Sequence, residues 1–206
     1  MSNLKEKNNK SIFYILSAAI LCVLVVQFGF ADSSKWVEFI LAGTLTPILS
    51  VVLVMLTNFI SHDFKHKLIF TRLRNEMPAS RCHTLCKKDP RIDLSDVSAR
   101  WPRVFSESTS AENRNSYWYN DIYKGVRGRP EVLQIHGNFL LYRDAFSGLL
   151  GIFLLVISWN IFAPLNFMGS INTWVYLVLG SFICITMVTA RNSGNRFVTN
   201  AIAAAI

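Results

Sequence analysis

Two histidines and two cysteines carry the spacing of a metal site. His62 and His66 lie four residues apart, which puts both imidazoles on one helical face, and Cys82 and Cys86 follow, with His83 between them. Two imidazoles and two thiolates make a tetrahedral zinc set of the structural kind, a staple and not a catalyst. Histidines directly after an apolar run also suit a membrane interface. The sequence commits to neither metal nor cofactor, and His62, His66, Cys82 and Cys86 are the ligands a zinc ion would use.

Hydrolytic chemistry needs more than the chain offers. It contains no Gly-x-Ser-x-Gly elbow, phosphate-binding loop, His-Glu-x-x-His or Cys-x-x-Cys. His62-Asp63 has the look of a metal phosphohydrolase dyad only as a dipeptide, since no further His and Asp align with it. Asp89, Asp93 and Asp96 alternate with Lys88 and Arg91, as a solvated or capping cluster does. No catalytic residue is assigned, and an enzyme is not expected.

The elements that must position these residues follow from where the charges are. Hydrophobic residues make up 51% of the 206 and charged residues 17%, with 25 of the 34 charges between Ser61 and Asp144. The flanks are nearly uncharged. Four runs reach the roughly 20 residues that a helix rising ~1.5 Å per residue needs to cross a bilayer: 12–30, 37–60, 145–163 and 171–190. The spacing thus predicts an all-α, multi-pass membrane protein. A small helical domain, residues 61–143, is inserted between helices two and three.

Pro47, beside Thr44 and Thr46, is expected to kink the second run. The runs hold no ionisable residue away from their ends, which argues against solute transport. Polar residues such as Gln27, Thr57 and Thr186 read as contacts between helices. Trp36, Trp159 and Trp174 read as interfacial anchors.

Lys and Arg concentrate in the tail 1–11, in the 61–143 segment and, as Arg191 and Arg196, in the tail 191–206, whereas the opposite loops offer only Asp32 and Lys35. Basic flanks mark the cytoplasmic side, so both termini and the central segment are expected there. A secretory signal ending near Gly29-Phe30-Ala31 is the rival reading. It is set aside because the apolar run is too long and cleavage would invert the charge logic.

Within the central segment the second run is expected to project as a stem until Pro78, and the third helix to start at Pro130 and continue to about Ala163. Leu94, Val97 and Trp101 define a short helix capped by Asp93 or Ser95. Ser110 caps another, running from Glu112 to Lys124 and stopped by Gly125, with Trp118, Tyr119, Ile122 and Tyr123 as its aromatic side. Arg143-Asp144 marks the start of the third span.

Three stretches in this order resemble a family: Lys88-Asp89-Pro90-Arg91-Ile92-Asp93, then Tyr117-Trp118-Tyr119, then His136 through Leu140-Leu141 to Arg143-Asp144. They are similar to elements of small membrane proteins of bacterial antiphage defence, the transmembrane effectors associated with retron reverse transcriptases. The likeness covers about half the chain. It implies an effector, or toxin, of the inner membrane, restrained by a reverse transcriptase with its RNA-linked DNA and released on infection to cause abortive infection by membrane disruption.

The resemblance also implies a regulatory or partner-facing role for Asp89, Arg91, Asp93, Trp118, Tyr119, His136, Arg143 and Asp144. The expected partners are the lipid bilayer, the reverse transcriptase complex through residues 61–143, and further copies of the chain. The alternative is a non-toxic scaffold or assembly factor that recruits a cytoplasmic protein. A membrane-bound hydrolase is a remote third.

Overall fold

The computed structural model describes residues 2–29, 55–162 and 171–206. Every regular element among them is helical. In chain order they are α1 (Ser2–Phe28), a helical turn at 55–59, α2 (His62–Phe70), a 3-10 turn (Pro78–Arg81), α3 (Cys82–Cys86), α4 (Leu94–Arg100) and α5 (Pro102–Phe105). Then come α6 (Ala111–Tyr117), a π-helical turn (Trp118–Tyr123), α7 (Lys124–Val126), α8 (Pro130–Phe162) and α9 (Thr173–Ala205).

Among the described residues three helices are long and apolar enough to cross a membrane: Asn8–Phe28, Pro130–Ile161 and Thr173–Ala205. Most of the second expected run, with Pro47, Thr44 and Thr46, lies outside the described residues, as do Trp36 and the loop 163–170. The chain divides into two compact units. One comprises Met1–Ser61 and Leu141–Met187, the other His62–Leu140 and Val188–Ile206, so the residues of α8 and α9 are shared between them.

The first unit packs α1, α8 and α9 around Leu16, Ala19, Leu149, Val175 and Leu179. Backbones come close at Gly148, where an added Cβ would lie 2.8 Å from Leu16 Cδ1 and 3.1 Å from Thr57 Cγ2. Small residues allow such approach where lipid removes the hydrophobic drive between helices. Ser147 Oγ donates to the Thr57 carbonyl at 3.1 Å, and Asn172 N donates to Gln27 Oε1 at 2.9 Å.

The second unit is built from short helices that start where their first residues dictate. Asp93 caps α4 by accepting from Ser95 N at 2.8 Å, and Ser110 caps α6 by accepting from Asn113 N at 3.3 Å. Pro102 opens α5 and Pro130 opens α8, where a missing amide costs no helical hydrogen bond. Cys82, Val97, Val104, Trp118, Ile122, Val132, Val198 and Ile202 form the core.

Three expectations are corrected. The stem expected to reach Pro78 stops at Phe70, because Thr71 turns to a φ of 49° and hydrogen-bonds its own hydroxyl to the Phe70 carbonyl at 2.8 Å. The helix expected to halt at Gly125 runs through it to Val126 and widens to a π turn at Trp118–Tyr123. The stretch 191–206, expected as a tail, continues α9 to Ala205 and buries Phe197, Val198, Ala201 and Ile202 in the core of the second unit.

Candidate functional site

The turn after α3 is set by Asp89-Pro90. Backbone bonds from Lys88 N to Leu85 O and from Asp89 N to Cys86 O close the end of α3, and Ile92 N returns to Asp89 O at 3.1 Å. The Asp89 carboxylate is thereby aimed at Arg91, accepting from Nε at 2.9 Å and from Nη2 at 2.7 Å. Nη2 also donates to Asn200 Oδ1 on α9 at 2.6 Å. The hydrogen bonds from Arg91 hold the Asp89 carboxyl well below its usual range, at about 2.

Beside this bridge is an open cleft of about 660 Å³, flanked by Lys88, Arg91, Asn195, Arg196 and Asn200, with Ile135 of α8 in its wall. Asp89 also lines it, its carboxylate taken up by Arg91, so the cleft presents ammonium, guanidinium and carboxamide groups beside one paired carboxylate, chemistry that binds and orients an acidic or polar surface. A smaller cleft of about 370 Å³ on the same turn is lined by Lys87, Lys88, Asp89 and Asp93.

A second cluster is aromatic. The π turn puts Trp118, Ile122 and Tyr123 all inward, a register an α-helix would not give, and such insertions recur at functional sites. Trp118 stacks on Tyr123 at 5.4 Å, His136 stacks on Phe197 at 4.6 Å, and the Tyr123 hydroxyl shares a 3.1 Å hydrogen bond with His136 Nδ1. Phe197 of α9 meets all three rings.

No protein-family model, curated protein or solved structure matches the chain. The reading of the site therefore rests on its own geometry.

Of the eight residues expected on a partner face, the second unit brings two pairs together. Asp89 and Arg91 meet at the cleft, and Trp118 and His136 meet in the aromatic cluster. Asp93 caps α4, and Tyr119, 44% exposed, lies under the Lys124 ammonium at 5.4 Å. Arg143 and Asp144 pair with each other, Nε to Oδ1 at 3.0 Å, and belong to the first unit.

The zinc set does not assemble. Among the described residues no three His, Cys, Asp or Glu side chains gather to hold a metal ion. Cys82 and Cys86 face the apolar core, where burial pushes each thiol up to about 12, and His66 stacks on Phe139 at 6.0 Å.

Sequence reading missed two residues that organise the unit. Buried Arg114 donates to the carbonyls of Val104 at 3.0 Å, Ser80 at 3.3 Å, Ser106 at 2.9 Å and Thr109 at 2.9 Å, so one guanidinium gathers α5, the 3-10 turn and the loop that leads into α6. Asn200 accepts Arg91 from a stretch expected to be a tail. No spacing signal distinguished Arg114, but the recurrence of Phe197, Val198, Ala201 and Ile202 at helical intervals was available.

Proposed function

We propose that this chain is the membrane-disrupting effector of a bacterial antiphage defence system of the retron type, held inactive by a cytoplasmic partner at the Arg91 cleft. In this reading four helices span the inner membrane, both termini and the 61–143 domain are cytoplasmic, and the partner is a reverse transcriptase carrying RNA-linked DNA. Release lets copies of the chain associate and permeabilise the membrane.

The observation that carries the proposal is the double duty of α9. One helix supplies an apolar run long enough to cross a membrane and, further along, Asn195, Arg196 and Asn200 of the cleft. A partner seated there touches a membrane helix directly and needs no relay. The basic and carboxamide groups of the cleft suit an acidic or polar partner surface, and the family resemblance supplies the partner's identity.

The test is inducible expression of the chain alone and together with a candidate reverse transcriptase and its RNA, followed by a membrane-potential dye. Depolarisation by the chain alone, suppressed by co-expression, is the expected result. Harmless expression with unchanged dye uptake removes the effector reading. A partner that stays bound to a harmless chain throughout points to a scaffold instead.

A further inference from the structure

On the other side of Asn195 from the Arg91 bridge, the second unit brings arginines together at the end of α2. Arg191 of α9 donates through Nε to the Ile69 carbonyl at 2.9 Å and through Nη2 to Thr71 Oγ1 at 3.0 Å. One turn further on, Asn195 Oδ1 accepts from Arg81 Nη2 at 3.3 Å, and the Arg81 guanidinium lies 5.4 Å from the centre of the Phe70 ring. Arg72 follows Thr71 directly. The charges of Arg72 and Arg191 both act on Arg81, so the three arginines gather near the end of α2, and α9 is pressed against it, since a Cβ on Gly194 would come 2.7 Å from Phe70 Cζ.

Three features of this place are costly if nothing else binds there. Burial, and then the charges of Arg72 and Arg191, lower the pKa of Arg81, and no carboxylate is among the groups acting on it. Arg81 Nη1 is buried with no hydrogen-bond partner among the described residues. Thr71, a β-branched residue, holds a left-handed φ of 49° where the Arg191 guanidinium grips its hydroxyl. Strain, an orphaned donor and like charges gathered at one spot are what an anion site looks like without its anion.

We infer that Arg72, Arg81 and Arg191 form a site for a phosphate group, and that an anionic phospholipid supplies it. Arg191 immediately follows the uncharged run that ends at Ala190, so the site lies at the level where a membrane helix leaves the hydrocarbon and meets headgroups. Guanidinium groups bind phosphate by paired N–H donors, and the free Nη1 of Arg81 is such a donor. The inference rests on α9 as a membrane helix and is independent of toxicity. A chain that binds lipid yet leaves cells polarised refutes the effector role alone.

The full chain, purified in neutral detergent, is titrated with short-chain phosphatidylglycerol, short-chain phosphatidylcholine or inorganic phosphate, and read by native mass spectrometry and melting temperature. Phosphatidylglycerol is expected to bind about tenfold more tightly than either of the others. Arg72→Gln and Arg81→Gln are each expected to weaken it by a similar factor, while Arg127→Gln, an exposed charge elsewhere, leaves it unchanged. Because Arg72 is exposed, Arg72→Gln decides the matter if Arg81→Gln fails to fold. Equal affinity for the two lipids, or unchanged phosphatidylglycerol binding in Arg72→Gln, overturns the site. Inorganic phosphate binding as tightly as the lipid overturns the lipid as its source.

Discussion

Arg91 donates to Asn200 at 2.6 Å while it holds both oxygens of Asp89, so a turn between short helices is tied to the far end of α9. The Arg91 side chain is 56% exposed, which makes the bridge weak in energy and accessible to a partner. A contact of this kind serves better as a latch than as a structural brace.

The latch has a pH signature. A carboxyl depressed in the folded state contributes stability above its unfolded pKa and loses that contribution as pH falls through the folded value. For Asp89 the window runs from the ordinary 3.8 down to about 2. In Arg91→Ala the carboxyl returns toward its ordinary range and the contribution is missing throughout. The melting temperature of the wild type minus that of Arg91→Ala should be largest and constant above pH 5 and shrink between pH 4 and pH 2. A difference that does not vary with pH would separate Asp89 from Arg91.

Arg114 is a stronger case, because its guanidinium is buried and donates to four backbone carbonyls. Arg114→Met keeps the volume but strands the carbonyls of Val104 and Ser80 inside the unit. Hydrogen bonds to a charged group contribute about 1.5–3 kcal/mol each, and losing the set should destabilise the unit by at least about 3 kcal/mol. Limited proteolysis of the purified chain is the direct measurement, with new cleavage expected in 101–111. Wild-type resistance would show that packing, not this network, orders the loops.

The long elements were legible in the sequence because their signals are local. Uncharged runs, Pro130 and the caps Asp93 and Ser110 each act through their own backbone, so α4, α8 and the start of α6 fall where spacing puts them, whereas α1 starts at Ser2, ten residues before the apolar run expected at 12–30, and takes in the expected tail 1–11. The errors share a different cause. Arg191 and Arg196 made 191–206 look like a basic tail, yet both stand on a helix whose other side, Phe197, Val198, Ala201 and Ile202, is required by the second unit's core. The turn at Thr71 is held by Arg191, and Arg114 reaches Ser80, partners too far along the chain for a local window to contain.

Cysteine reactivity should separate the four thiols by environment. With pKa values near 12, Cys82 and Cys86 are ionised at pH 8 only to the order of one part in ten thousand, against roughly a quarter for an ordinary thiol. Iodoacetamide at pH 8 should leave both unmodified in the native chain and modify both after denaturation, as peptide mass spectrometry would report. Zinc added to the native chain should leave the melting temperature unchanged. Protection of Cys82 and Cys86 that appears only with zinc would restore the metal set.

Two glycines in membrane-competent helices make opposite predictions. Alanine in a helix interior is favoured over glycine by about 1 kcal/mol, so each substitution starts with that gain. At Gly148 the new Cβ meets Leu16 at 2.8 Å and 3.0 Å, and Leu16 is fully buried and cannot swing away. Overpacking of this kind costs about 1–3 kcal/mol, so Gly148→Ala should lower the melting temperature. At Gly180 a Cβ meets nothing within 4 Å among the described residues, and Gly180→Ala should be neutral or stabilising in the isolated chain. The same substitution also probes association. If Gly180→Ala leaves the melting temperature intact but abolishes depolarisation by the chain expressed alone, the side of α9 at Gly180 is where a second copy packs. If both properties survive, copies meet elsewhere.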